Sequence, residues 1–254
     1  MSILIIQHIS DFSKLMYNKN MKKLLKIPFT DKAIFLKRLN KYVGLVKLNN
    51  ETTTIHIHDP GRLTELIFPG NEVLINRVNN PKRKTHFDLI AAKNDNEWIL
   101  VNSMYHSKIA EKIIKYNLLF SDKIELIKSE VKFKNSRFDF LVKTCKTTTL
   151  IEVKGCTLRK ENIALFPDAP TKRGNKHLLE LIEAQKLGFK GILVILVFPQ
   201  SKCFAPNFDT DKTFSQNFIK SLNHYINIFP IQLKYSPQFS NNNFQRNSST
   251  MSKY

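Results

Sequence analysis

The stretch that decides the fold is "SRFDFLVKTCKTTTLIEVKG", residues 136–155, in which two apolar segments flank a short polar connection. Alternating and β-branched residues in both segments predict strands at 137–143 and 149–154. The connection "TCKT" is short enough for a β-hairpin. Each strand carries one carboxylate in an otherwise apolar setting, Asp139 on the first and Glu152 on the second.

The pairing register of this hairpin brings the two carboxylates together. If Lys143 pairs with Thr148, Asp139 lies opposite Glu152, and opposite residues have Cβ atoms about 4.5 to 5.5 Å apart. Mg²⁺ binds one or two carboxylates and keeps several waters. Lys154 shares a strand face with Glu152 and could orient an attacking water or stabilise charge on phosphorus. A structural ion-pair cluster, with Arg137 and Lys154 neutralising the acids, is an equally open interpretation.

Short strand-like segments separated by turn residues precede the hairpin. The turns include "DPGR" and "FPGN". Strands of this size and spacing predict a small closed barrel of the OB type. The predicted strands cover 42–48, 52–58, 72–78, 86–92 and 97–101.

The pattern changes near residue 103. "SKIAEKIIKYNLL" has the apolar spacing of a helix, and a second helix is predicted over 172–187, before Gly188 as C-cap. Strands at 130–134 and 191–198 complete an α/β domain. The predicted organisation is a weakly ordered extension (1–25), a DNA-binding barrel (26–102), an α/β domain (103–235) and a disordered polar tail (236–254).

The composition indicates a polyanionic partner. Forty Lys and Arg face 21 Asp and Glu, for a net charge of +19, which favours nucleic acid over a membrane surface unless it reflects compositional drift. Cys145, Cys156 and Cys203 have no CxxC spacing, which excludes a disulfide framework or a zinc site. The sequence has no export signal and no apolar run long enough to span a bilayer, so we expect a soluble cytoplasmic protein.

Two motif resemblances make the predicted function more specific. Asp139 followed by Glu152-Val153-Lys154 resembles the PD-(D/E)xK nuclease core. "DPGRLTELIFPG" (59–70), "NPKRKTHFDLIAA" (80–92) and "ALFPDAPTKRGNKHL" (164–178) resemble the sugar fermentation stimulation protein family. That resemblance implies an OB-like barrel, a restriction-endonuclease-like α/β domain and DNA binding. Many members have Asn-Thr-Gly where this chain has Asp-Pro-Gly at 59–61.

The candidate catalytic residues follow from the hairpin and the nuclease resemblance. Asp139 and Glu152 are the predicted ligands of Mg²⁺ or Mn²⁺, and Lys154 assists the attacking water. Nuclease sites of this kind often include an acid from the preceding helix, for which Glu111 is the candidate. Its alternative is an ordinary i,i+4 pair with Lys115.

The candidate nucleic-acid contacts lie at a helix start and on the barrel. Helix N-termini attract anions, so Lys172, Arg173 and His177 are predicted to contact phosphate, although a solvated face is the alternative. Asp168 is expected to join the metal or to position Arg173. The barrel contributes the basic residues Arg62, Lys82, Arg83 and Lys84. Possible base-stacking platforms are Phe35, Tyr42 and Phe87, although an aromatic residue in a small barrel more often belongs to the core.

The sequence therefore predicts a DNA-binding protein without sequence preference that carries a Mg²⁺-dependent, nuclease-like site. Two other functions stay open. One is a non-cleaving DNA-binding regulator of sugar-metabolism genes, and the other is an RNA-processing nuclease. A metal-free fold stabilised by the same charges is the remaining alternative.

Overall fold

The computed structural model describes residues 23–239. Most of the predicted N-terminal extension and all but the first four residues of the predicted tail lie outside this range. The first six strands form one sheet in the order β3-β2-β1-β4-β5-β6, and an additional pairing of β3 with β5 closes it into a barrel. The strands are β1 (Asp31–Asn40), β2 (Val43–Leu48), β3 (Glu51–His56), β4 (Glu72–Arg77), β5 (Phe87–Asn94) and β6 (Glu97–Leu100).

The predicted OB-like barrel is confirmed, with one strand more than the sequence indicated. Strand β1 buries Ala33 and Phe35, but its alternation then breaks at two register shifts against β2. Such irregularities insert a residue and reverse the facing of those that follow. The period-2 pattern is therefore lost beyond Phe35, and this stretch does not read as a strand.

The second half of the chain forms a five-stranded sheet in the order β14-β12-β9-β8-β7 and a small sheet in the order β10-β11-β13. The nuclease-like α/β architecture predicted for it is confirmed. Three helices pack on these sheets: α1 (His106–Lys115), α2 (Lys172–Lys186) and α3 (Lys212–Asn223). The strands are β7 (Ile124–Phe133), β8 (Ser136–Thr144), β9 (Thr148–Cys156), β10 (Leu158–Lys160), β11 (Ile163–Phe166), β12 (Lys190–Val197), β13 (Cys203–Pro206) and β14 (Asn227–Gln232).

Strand β12 lies between β14 and β9 and separates two layers of core. Its even-numbered residues from Ile192 to Leu196 pack in the cluster that contains α1 and the barrel interior. The odd-numbered residues from Leu193 to Val197 pack with Leu178 of α2 and Phe214 of α3. Helices α1 and α2 therefore lie on opposite faces of the sheet, and the barrel shares a continuous core with the first of these faces.

Cys156 is fully buried in the second of these clusters, as expected for a small packed residue. Within residues 23–239, no helix has the length and apolarity needed to cross a membrane.

Candidate metal centre

The hairpin of β8 and β9 has the predicted register. Lys143 pairs with Thr148, and the ladder continues to Phe140 and Ile151, where it ends. One step further, the Asp139 carboxylate takes the place of a backbone partner, because its Oδ2 accepts a hydrogen bond from the Val153 amide at 2.7 Å. This bond fixes the Asp139 carboxylate beside Glu152 at the point where the two strands separate.

Glu152 is a buried residue, only 3% exposed, and its two carboxylate oxygens differ in their hydrogen-bond partners. Its Oε1 accepts from Lys154 Nζ at 2.5 Å and also contacts His177 Nδ1. Its Oε2 is buried and has no hydrogen-bond partner among residues 23–239. A buried polar oxygen without a partner costs about 1–3 kcal/mol, so this atom is a position where a cation would be stabilising.

The two carboxylates have opposite pKa shifts. Burial, followed by the charge of Glu152, raises the pKa of Asp139 to about 6. Burial also acts to raise the pKa of Glu152, but the charge of Lys154 and the bond from His177 more than offset it and hold that pKa below its ordinary value. Glu152 is therefore ionised first, and Asp139 loses its proton only near neutral pH.

These donors fit a hydrated Mg²⁺ or Mn²⁺ ion. Burial and the charge of Glu152 both act on the Asp139 carboxylate, and Glu152 Oε2 has no hydrogen-bond partner among the residues that the structure describes. Between residues 23 and 239, His, Cys, Asp and Glu side chains form no group of three or more that could hold a metal. A zinc site would need more protein ligands, whereas Mg²⁺ accepts one or two carboxylates and fills its shell with water and substrate phosphate.

His177 is the main correction to the predicted site. It is 3% exposed, and both ring nitrogens have protein partners: Nδ1 contacts Glu152, and Nε2 lies 3.4 Å from Arg173 Nε. A direct phosphate contact does not fit this position. Arg173 can only donate, so Nε2 accepts and Nδ1 carries the hydrogen that is donated to Glu152. Helical periodicity in the sequence could have predicted the burial of His177, since His177 lies on the same buried face of α2 as Leu178 and Leu181.

The first turn of α2 carries the other predicted phosphate contacts. Thr171 caps the helix by accepting from the Gly174 amide at 3.0 Å. Lys172 and Arg173 are exposed, and Arg173 is joined to Glu152 through His177. The structure therefore brings Arg173 close to Glu152, although 21 positions separate them in the sequence.

Glu111 is not brought to the carboxylate pair. It lies on α1, on the sheet face opposite to α2, and forms an i,i+4 ion pair with Lys115 at 2.5 Å. Both side chains are substantially exposed. The alternative interpretation, an ordinary surface pair, describes Glu111 in this structure, and its prediction as a third catalytic acid does not fit.

Asp168 lies at the junction of the barrel and the α/β domain. Its Oδ2 accepts from the Leu63 amide at 3.2 Å, just beyond the "DPGR" turn. Arg38 holds the same turn by donating to the carbonyls of Gly61 and Arg62 at 2.6 and 3.0 Å. Asp168 therefore docks the barrel turn, a role different from the two that the sequence suggested, and Arg62 is left exposed beside the junction.

The predicted barrel contacts divide into exposed and structural residues. Lys82 and Lys84 are exposed, but Arg83 is half-buried and pairs with Asp88 at 2.6 Å. His58 also approaches Asp88, at 3.0 Å. Burial acts to raise the pKa of Asp88, but these two partners lower it to about 2. Arg83 is therefore committed to an internal ion pair, which corrects its prediction as a free DNA contact.

Gly155 is a residue that sequence reasoning missed. A Cβ at this position would lie 2.2 Å from Cε1 of His106, whose ring stacks on Phe198 at 5.2 Å between centroids. Burial lowers the pKa of His106 to about 4, so the packed ring is neutral. The glycine after Lys154 therefore lets α1 approach β9 closely, next to the candidate site.

Family models match nearly all of the described chain. The model of the sugar fermentation stimulation protein RE domain matches residues 102–239, and that of the SfsA N-terminal OB domain matches residues 36–101. The chain belongs to the sugar fermentation stimulation protein family. The predicted family resemblance is thus confirmed.

Individual members of the family agree with this assignment over most of their length. A homolog from Thermosipho melanesiensis is 46% identical over 211 residues, which cover 83% of this chain and 91% of that protein. One from Thermotoga maritima is 43% identical, covering 85% and 93%. The structure of Pyrococcus furiosus SfsA in complex with Ca²⁺ is similar with a TM-score of 0.76 and 27% identity, covering 85% of this chain and 94% of that one.

Proposed function

We propose that this protein binds DNA largely without sequence preference and hydrolyses a phosphodiester bond at the Asp139–Glu152 pair with Mg²⁺ or Mn²⁺. The observation that carries the proposal is Glu152 Oε2, which is buried near a second carboxylate and has no hydrogen-bond partner within residues 23–239. Lys154 does pair with Glu152, through Oε1, as the ion-pair alternative expects, but Arg137 pairs with Glu130 at 3.2 Å rather than with Asp139 or Glu152. The Ca²⁺ complex of the Pyrococcus furiosus relative agrees with a divalent ion in this family.

Asp139 and Glu152 would hold the ion, which when bound would polarise a phosphate oxygen and lower the pKa of a water. Lys154 supplies a fixed positive charge, because its ammonium is bonded to Glu152 Oε1 and its side chain is only 17% exposed. A cation held in a desolvated place stabilises the charge that develops on phosphorus without reorganisation. His177 positions Glu152, and Arg173 holds His177 in the required tautomer.

Phosphate binding is assigned to the exposed bases near the site. Lys172 and Arg173 begin α2, where the free backbone N–H groups add to the positive potential. Bases at a helix N-terminus oppose the helix dipole, so helix stability does not explain them. The net charge of +19 provides the longer-range attraction to a polyanion.

Cleavage assays on purified protein test this function. End-labelled single- and double-stranded DNA and RNA are incubated with Mg²⁺, Mn²⁺ or EDTA, using wild type, Lys154→Ala and the control Lys143→Ala. Lys143 is an exposed lysine on the same hairpin. We expect metal-dependent DNA cleavage by wild type and Lys143→Ala and none by Lys154→Ala.

The other outcomes separate the alternatives. DNA binding without cleavage under any metal condition would overturn the catalytic part and leave a non-cleaving regulator. Cleavage of RNA alone would indicate an RNA-processing nuclease. Cleavage that survives Lys154→Ala would assign the activity to another site or to a contaminant.

A further inference from the structure

Three aromatic side chains form a row on the barrel surface. Tyr42 precedes β2, and His56 ends β3 opposite Val43. The rings of Tyr42 and His56 are 6.3 Å apart between centroids with 15° between their planes. His58 continues the row, with its centroid 4.4 Å from that of His56. Tyr42 is 49% exposed, so about half of its surface is accessible to solvent.

The other aromatics named as possible base platforms do not share this property. Phe35 and Phe87 are 1% and 4% exposed and belong to the barrel core. Core packing therefore explains them, and it does not explain Tyr42. Tyr42 differs from these two rings because about half of its surface is accessible to a ligand.

The backbone holds Tyr42 firmly in place. Its amide donates to Asn40 Oδ1 at 2.8 Å, and its carbonyl accepts from the Ile57 amide at 2.8 Å. Arg38 donates to the carbonyl of the preceding residue, Lys41, at 2.7 Å. A ring on a fixed backbone loses little conformational entropy when a partner stacks on it.

Two basic residues lie close to the aromatic row, and one of them, Arg83, is paired with Asp88. Lys41 Nζ lies 5.7 Å from the centroid of the Tyr42 ring. Arg83 is close enough to His56 for its charge to contribute to the lowered pKa of that imidazole, after burial and the charge of His58. A flat aromatic surface with adjacent cations matches the chemistry of a single nucleic-acid strand, whose bases stack on aromatic rings while its phosphates contact bases.

The aromatic row is also linked to the α/β domain through the segment that follows it. His58 is followed directly by the turn at 59–62, whose far end is bonded to Asp168 of the α/β domain. Asp168 in turn contributes, after burial, to the raised pKa of the Cys156 thiol on β9, two residues beyond Lys154. The chain segment that follows the aromatic row and the strand that carries Glu152 therefore both approach Asp168.

We propose that Tyr42 and His56 form a stacking site for an unpaired nucleobase, so that the preferred DNA ligand has a single-stranded segment at the barrel. This proposal rests on the proposed DNA binding and adds the strandedness of the ligand. A paired base keeps its faces covered by its neighbours in the duplex, so the site discriminates between single strands and duplexes.

Fluorescence anisotropy in EDTA tests the proposal with dT20, a 20-bp duplex and a 20-unit abasic phosphodiester strand. The variants are Tyr42→Ala, Tyr42→Phe, which keeps the ring, and the control Tyr225→Ala, an 83% exposed tyrosine of the α/β domain. We expect Tyr42→Ala to weaken dT20 binding about 5- to 100-fold. Tyr42→Phe and Tyr225→Ala should bind dT20 like wild type, and duplex and abasic-strand binding should be the same for all four proteins.

Two results would overturn the stacking site. One is dT20 affinity that Tyr42→Ala leaves unchanged, and the other is an equal loss for dT20, duplex and abasic strand, which would indicate a general charge or folding effect. These results differ from failure of the proposed function, in which wild type binds none of the three ligands.

Discussion

Replacement of Asp139 by asparagine should make the metal-free protein more stable at neutral pH. The pKa of Asp139 rises from an ordinary value of 3.8 to about 6 in the folded protein, so folding favours its neutral form. The folded state therefore loses stability relative to the unfolded state as pH rises from about 4 to 6. At about 1.4 kcal/mol per pH unit, this gap corresponds to about 3 kcal/mol above pH 6.

The Asp139→Asn variant avoids that loss and keeps the local bond. An amide oxygen can still accept from the Val153 N–H, which Asp139 Oδ2 contacts at 2.7 Å. The variant should match wild type at pH 4 and exceed it by up to about 3 kcal/mol at pH 7.5, measured by urea unfolding in EDTA. Asp209→Asn, at an 86% exposed carboxylate, is the matched control and should show no pH-dependent gain.

Mg²⁺ should largely cancel this difference. A ligand at a hundredfold excess over its Kd stabilises the folded state by about 2.7 kcal/mol, and wild type should gain this while Asp139→Asn gains little. The reasoning would be refuted if the two proteins kept a constant difference from pH 4 to 7.5. It would also fail if Asp139→Asn were less stable than wild type at pH 7.5 in EDTA.

Three further results are expected. Glu152→Gln should abolish the Mg²⁺-dependent rise in Tm, because the substitution removes the charge of a metal ligand. DNA binding in EDTA should persist, because the exposed basic residues are unchanged. A wild type whose Tm does not respond to Mg²⁺ in calorimetry would contradict the metal site. Gly155→Ala should cost about 1–3 kcal/mol by overpacking against His106, and added to His106→Ala it should cost less than the sum of the single changes; additive effects in urea unfolding would argue against the contact. DNA affinity should fall with salt at a log–log slope near −5 if about six phosphates are neutralised, and a flat titration would exclude phosphate-dominated binding.

The hairpin shows how far local pattern could go. Two apolar strands joined by four polar residues have one register that keeps both apolar faces inward, and β8 and β9 adopt it. The barrel strands that are bounded by turns with Pro, Gly and Asn were equally predictable from the sequence. Strand β1 was not, because its register shifts erase the period-2 pattern. Helix α3 also has a local signal in the sequence, an Asp211 cap followed by Phe214 and Phe218 on one face.

The sequence by itself determined the family, the order of the barrel and the α/β domain, and the placement of two carboxylates and Lys154 on one hairpin. Turn chemistry, periodicity and motif spacing are local properties of the chain, so they can be recognised without the structure. Only the tertiary structure decided which distant residues join them. It placed His177 against Glu152, kept Glu111 on the other face of the sheet, and assigned Asp168 to the domain junction. These outcomes depend on which sheet face each helix covers, and packing between distant segments sets that choice.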